Sequence, residues 1–374
     1  MSKVYILGAG ASHGAGFNSY RNIKPPLLKD FFKTFAEFNY FQKYEKKVTS
    51  LSDFLNITFG WTKNALEAGN PDIEMVLDNL DSKLDEIELH YSLPEYLKKG
   101  MQCRDFKKFL IELIAEALHR TTWEGKVLHP PKCPYHESIA KYLQPGDLII
   151  NLNYDLIMDL ALINHGWDWI NGYALPFDYC YRNHINKWEE ITARNNNQFY
   201  YLKLHGSLNW FISTDVVEER GEDTKIHSDI NAKNKLHLVN PAAWYENPHL
   251  RTAQFGASYK NGNLKFFTQR LIVGPGRKGE YDILKPLWNI AEAQLKDVTQ
   301  AFIVGCSLRE NDQQLSSLLQ NNIPWSSLEN FIVVDPREEI KSRFENVFGR
   351  DVDHQLKNME EFSDFLQNKL VVAK

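Results

Sequence analysis

Two periodicities divide this chain. Short runs in which almost every residue is apolar, Val4-Tyr5-Ile6-Leu7, Leu148-Ile149-Ile150-Asn151-Leu152, Phe199–Leu204, Leu271-Ile272-Val273, Ala301–Val304 and Phe331–Val334, end in turn residues. Runs of that length and uniform character predict strands buried on both faces. Elsewhere apolar residues recur every three or four positions, in Leu27–Phe38, Leu51–Leu66, Ile73–Ile87, Phe106–Leu118, Tyr281–Leu295 and Asp312–Leu319. That spacing predicts helices with one apolar face, and Pro71-Asp72 reads as the start of the third. Strands that alternate with helices imply an α/β fold: a Rossmann-like, mostly parallel sheet with helices on both faces.

The alternation is interrupted twice. From about residue 40 to 143 only the helical period is present, which predicts a large helical insertion after the first strand–helix unit; its aromatic and leucine stripes are expected in core or subunit contacts. From 167 to 268 neither period persists, apart from the strand-like run Phe199–Leu204. This second insertion is aromatic, Asn-rich and read as irregular, with Val217–Lys235 expected as an exposed polar loop. Residues 1–374 are read as a single domain carrying both insertions.

Composition narrows the function classes. With 43% hydrophobic residues, 22 Phe, 17 Tyr and 9 Trp, the chain has ample core material. A net charge of −5 and no block of five or six basic residues argue against direct nucleic-acid binding. The chain opens directly on its first strand and has no apolar run of about 18 residues, so a cytoplasmic protein without a membrane span is expected. Cys103, Cys133, Cys180 and Cys306 are widely separated, which predicts reduced buried thiols and no zinc or other metal site.

The candidate chemistry lies where strands end. Gly8-Ala9-Gly10-Ala11-Ser12-His13-Gly14-Ala15-Gly16 follows the first strand as a tight turn opening a helix, whose N–H groups suit a pyrophosphate. In this reading Gly10 admits the ligand to the backbone and Ser12 donates to a phosphate. It is not a standard dehydrogenase start. His13 stands where the third glycine belongs, and Asp30 lies in a helical stretch rather than at a strand end. Later strand ends carry Asn153-Tyr154-Asp155, His205-Gly206, Gly305-Cys306-Ser307-Leu308 and Asp335. Alone, each has a plain structural reading: Asn153–Asp155 or Ser307 as helix caps, His205 as a hydrogen-bonded strand-end residue. His13, His129, His136, His165 and His184 show no partners in sequence and are read as structural or solvent-exposed.

In that order the pieces resemble the sirtuin superfamily, in which a Gly-Ala-Gly-x-Ser turn, an Asn-x-Asp turn, a His-Gly pair and a Gly-Thr-Ser-Leu-type turn surround NAD. The phrases Asn-Tyr-Asp, Leu-His-Gly-Ser and Ile-Val-Gly-Cys-Ser-Leu look like the bacterial sirtuin-like proteins of antiphage defence. The resemblance implies an NADase that hydrolyses NAD+, as substrate, to nicotinamide and ADP-ribose. It assigns Asn153 to the attacking water and the nicotinamide-side ribose, and His205 to general-base or ribose-hydroxyl duty. Asp155 is left to orient Asn153 or the nicotinamide amide. NAD+ contacts are implied for Gly8, Ala9, Gly10, Ala11, Ser12, Gly305 and Ser307, with Asp335 in place of the family's adenosine-side Asn. It implies a homo-oligomer and makes a HerA-type DNA-translocating ATPase the partner to expect. Departures bear on activity. The four-cysteine zinc ribbon is missing and Leu152 replaces the glutamine before the catalytic Asn, which disfavours peptide deacylation. Deacylation or ADP-ribosyl transfer to a protein, and a non-catalytic NAD- or ADP-ribose-binding scaffold, are the rival readings.

Overall fold

A computed structural model describes residues 2–15, 23–37, 45–90, 93–123, 130–182, 187–191, 199–220, 223–227, 235–251, 254–259, 264–272, 282–309 and 312–371. Gly16, Phe38, His129, His184, Val273 and Tyr281 lie outside the described residues. The strands, β1 to β13 in chain order, form two sheets. The first contains β1 (Ser2–Leu7), β2 (Leu148–Asn151), β5 (Tyr200–Lys203), β11 (Val298–Val304), β12 (Asn330–Val334) and β13 (His354–Leu356). All neighbours in it pair in parallel, in the order β13-β12-β11-β1-β2-β5. This is the doubly wound order, and it reverses between β1 and β11, the place where such sheets open a ligand crevice at their carboxyl ends. The uniform apolar runs follow from burial on both sides: Val4 through Leu7, Leu148 through Ile150, and Ala301 through Val304 are essentially inaccessible to solvent.

The second sheet corrects the sequence reading of 167–268 as irregular. It comprises β3 (Tyr179–Arg182), β4 (Lys187–Glu190), β6 (Gly206–Arg220), β7 (Asp223–His227), β8 (Leu236–Val239), β9 (Gln254–Tyr259) and β10 (Leu264–Ile272). All its pairings are antiparallel except β3 with β8. Leu271-Ile272 therefore closes an antiparallel strand rather than opening the parallel half, and much of the expected polar loop after Val217 is the β6–β7 hairpin. The physical reason is double coverage. Along its central strands successive residues enter different cores: Cys180, Trp210 and Leu238 join the core around the parallel sheet, while Tyr181, Phe211 and Val239 join a second core shared with the inserted helices. A sheet with two dry faces shows no apolar–polar alternation to read.

The inserted helices build that second core through the expected stripes. Helix Ile73–His90 contributes Ile73, Val76, Leu77 and Leu80, and helix Leu93–Thr122 contributes Leu110, Ile114 and Leu118. The predicted helix 51–66 is instead two helices, Glu45–Phe59 and Lys63–Glu67, the second capped by the Thr62 hydroxyl, which accepts from the Ala65 N–H at 3.3 Å. Among the described residues no helix is long and apolar enough to cross a membrane.

Candidate functional site

The crevice begins where two turns touch. A Cβ on Gly8 would lie 2.6 Å from the Cα of Cys306, and one on Gly10 would lie 2.7 Å from the Cα of Gly305. Gly305 itself sits at φ +59°, in the left-handed region that glycine occupies without penalty. These glycines are thus required first by backbone-to-backbone packing of the β1 and β11 turns. The same contact alters the sequence expectation for pyrophosphate. The N–H groups of Gly8, Gly10 and Ala11 already donate to the carbonyls of Val304, Gly305 and Gly8 at 2.8–2.9 Å.

Around this contact lies a cavity of about 650 Å³, within the usual range of small-molecule sites. It is lined by Gly8, Ala9, Gly10, Ser12, Asn153, Asp155, His205, Gly305, Ser307 and Asp335. Of the expected site residues only Ala11 does not line it; Ala11 is fully buried behind the turn.

Adjacent parallel strands bring Asn153 and His205 together. Asn151 of β2 is in register with Lys203 of β5, so each candidate stands two residues beyond a paired position. The Asn153 carboxamide nitrogen donates to the Gly8 carbonyl at 2.9 Å and to Ser12 Oγ at 3.1 Å. Ser12 in turn donates to Asp155 Oδ2 at 2.7 Å. Asp155 therefore orients Asn153 through Ser12, and the serine hydroxyl's proton is committed to a carboxylate rather than to a phosphate. The Asn153 carboxamide oxygen accepts nothing from the described residues, which leaves it for a donor in the cavity. Burial pushes the Asp155 carboxyl above the ordinary range, against the pull of Lys203, Ser12 and the Ile157 N–H.

Beneath this turn lies a dry polar cluster. Lys203, fully buried, donates to the Asp155 carbonyl at 2.6 Å and to Asp159 at 3.2 Å. Asp159 also accepts from the hydroxyls of Tyr173 and Tyr201, and Asn151 donates to Tyr201 at 2.8 Å. The backbone of the Asn153–Asp155 turn is thus fixed from below by charged groups that have several partners each.

His205 occupies the turn where the chain leaves one sheet and enters the other, between Lys203 of β5 and Gly206 of β6. Its Nδ1 is 3.3 Å from Glu74 Oε1, and its Nε2 is 3.8 Å from Asp312 Oδ2. Tyr154 donates to the same Glu74 oxygen at 3.1 Å. Arg309 bridges Asp72 and Glu74 with its two terminal nitrogens. Burial disfavours the Arg309 charge, but Glu74, Asp72 and Asp312 outweigh it and hold its pKa above the ordinary value. Asp312, not Ser307, caps helix Gln313–Asn322, accepting from the Leu315 N–H. Leu308, at φ +42°, is held in a backbone conformation that costs a leucine on the order of 1 kcal/mol or more. The carbonyls of Ser307 and Leu308 accept from Arg343 at 3.0 and 3.4 Å.

At the far end, Asp335 is already engaged. Its Oδ1 accepts from the Arg337 N–H and Nε at 3.0 and 2.9 Å, and its Oδ2 from Nη2 at 2.8 Å. A ribose diol would share this carboxylate with Arg337. Exposed Lys24, Lys29 and Lys357 also line the cavity, with no ion pair among the described residues, and supply cationic charge for a phosphate. The histidines read as partnerless have partners: His13 lies 2.8 Å from the Pro25 carbonyl, His136 3.1 Å from Cys133 Sγ, and His165 2.9 Å from Glu137.

Sequence reasoning missed Glu74, Arg309, Asp312 and Lys203. Glu74 had one available signal: it lies three residues before Leu77, on the apolar face of its helix, where a carboxylate needs a reason. No family model matches the chain, and no curated protein is detectably similar to it.

Proposed function

We propose that this chain is a sirtuin-like NAD+ glycohydrolase, which cleaves NAD+ to nicotinamide and ADP-ribose and serves bacterial antiphage defence by depleting NAD+. The observation that carries the reading is the meeting of the Gly8–Ser12, Asn153–Asp155, His205 and Gly305–Ser307 turns, with Asp335, around one cavity at the sheet's switch point.

The residues suit the chemistry. Breaking the bond between nicotinamide and ribose develops positive charge on the sugar, and Glu74, Asp155 and Asp312 bring carboxylates to the cavity. The Asn153 oxygen accepts from a water and holds it in place. As the water oxygen bonds to the ribose carbon, the electron pair of the breaking bond leaves with nicotinamide. His205 takes the proton that the water loses and returns it to solvent. By the same resemblance we place activity under the control of homo-oligomeric assembly and a HerA-type DNA-translocating ATPase in the cytoplasm.

The test is NAD+ consumption and nicotinamide release by purified protein, alone and with such an ATPase. Asn153→Ala and His205→Ala should each lower turnover at least about 100-fold while the protein still melts cooperatively. Release of nicotinamide only when a protein acceptor is present would favour the transferase or deacylase reading. Bound but intact NAD+ under every assembly condition would favour the scaffold.

A further inference from the structure

We propose that Glu74 is a positioning residue for His205, so that the inserted helix, and not the parallel sheet alone, sets the state of the imidazole in the cavity. The inference rests on the reading of the cavity as an NAD+-cleaving site.

Glu74 lies in the first turn of helix Ile73–His90 and is 1% exposed. A carboxylate so deep is strongly disfavoured unless donors hold it. Both oxygens are held, and the pattern of holding is directional. Arg309 takes Oε2, while the Tyr154 hydroxyl and His205 Nδ1 approach Oε1. If Glu74 served only to anchor Arg309, Asp72 would already do so, since Arg309 pairs with it independently. What Asp72 does not do is face the imidazole. On the other side Asp312 lies farther off, at 3.8 Å from Nε2, and its second oxygen caps a helix. The Glu74 contact is one of charge at 3.3 Å rather than an aligned hydrogen bond, and the nearer carboxylate favours a proton on Nδ1 and leaves Nε2 to receive one from the cavity. A tautomer fixed in this way is what a general base at His205 requires.

The geometry also makes the insertion and the site interdependent. Arg309 follows directly on the Gly305–Leu308 turn, and its grip on Asp72 and Glu74 seats the helix start on the sheet. Any displacement of that helix removes the neighbour of Nδ1.

Ring ¹⁵N shifts of His205 in the full chain, assigned by their loss in His205→Ala, test this directly. The neutral wild-type ring should carry its proton on Nδ1. Glu74→Ala should move the ring towards the Nε2-protonated form that predominates in water, and should lower kcat by about 10- to 100-fold with KM within about threefold. Glu74→Gln, which keeps an acceptor oxygen, should retain the tautomer and recover part of kcat. An Nε2-protonated wild-type ring, or a ¹⁵N pattern unchanged in Glu74→Ala, would overturn the inference. If Glu74→Ala does not fold, the wild-type and Glu74→Gln spectra decide it. A wild-type protein that consumes no NAD+ under any condition would defeat the proposed activity instead, while the tautomer measurement still decides the role of Glu74.

Discussion

Gly305 has room for no side chain. At φ +59° its added Cβ would fall on the backbone of Gly10 and Ala11, which belong to the opposing turn and cannot rotate away. Gly305→Ala should therefore destabilise the fold by about 2–4 kcal/mol, read as a lower urea midpoint. The expectation fails if the midpoint is unchanged. Lys203 is a different case, because it is held by charge rather than by shape. Lys203→Met leaves Asp159 buried with only tyrosine donors and frees the Asp155 carbonyl, at a cost of about 3–5 kcal/mol. Replacing Asp159 by Leu in the same chain should recover part of that loss. A double variant whose loss equals the sum of the two single losses would show that the pair acts independently.

At the level of elements, what could be read in advance was what burial writes uniformly. Val4–Leu7, Ala301–Val304 and Phe331–Val334 are apolar at every position because both faces of the parallel sheet are covered, and their turns are visible as the residues that break each run. From this the fold class and the strand-end location of Asn153, His205 and Gly305 follow. The antiparallel sheet was not legible because Trp210 and Phe211 are both buried, each in a different core, so the two-residue period vanishes from the sequence. Glu74 and Arg309 were not legible as a pair because 235 positions separate them and only the fold supplies their meeting. Asp335 could be placed at its strand end, yet the arginine two residues on, which occupies its carboxylate, changes what it offers a ligand.

Taken as a whole, the molecule should be acid-sensitive well above the carboxylate range. Burial pushes His119 and His136 down to about 4 and His237 to about 3, against an ordinary value near 6.5. Above pH about 6.5 all three are neutral in both folded and unfolded chains. As pH falls from there towards 4, the unfolded chain takes up three protons that the folded chain refuses, so stability falls by up to about 4 kcal/mol per pH unit. Asp147 and Asp155, whose pKa values burial raises, act in the opposite sense, because the folded chain takes up their protons more readily than the unfolded one. Urea midpoints at pH 7, 6 and 5 measure the effect. A midpoint constant over that interval would mean that these histidines are protonated in the folded protein.

The placement of β1 has a consequence for synthesis. This strand leaves the ribosome before the other described strands, but it lies between β2 and β11, with Val4 beside Leu148 on one side and Ala301 on the other. Its second neighbour is translated only after some 290 further residues, and Arg309 and Asp312 later still. Until then the first glycine turn has no opposing turn to press against and Glu74 has no arginine. An incomplete nascent chain therefore lacks the assembled cavity, which is complete only when translation has passed the last of its contributors.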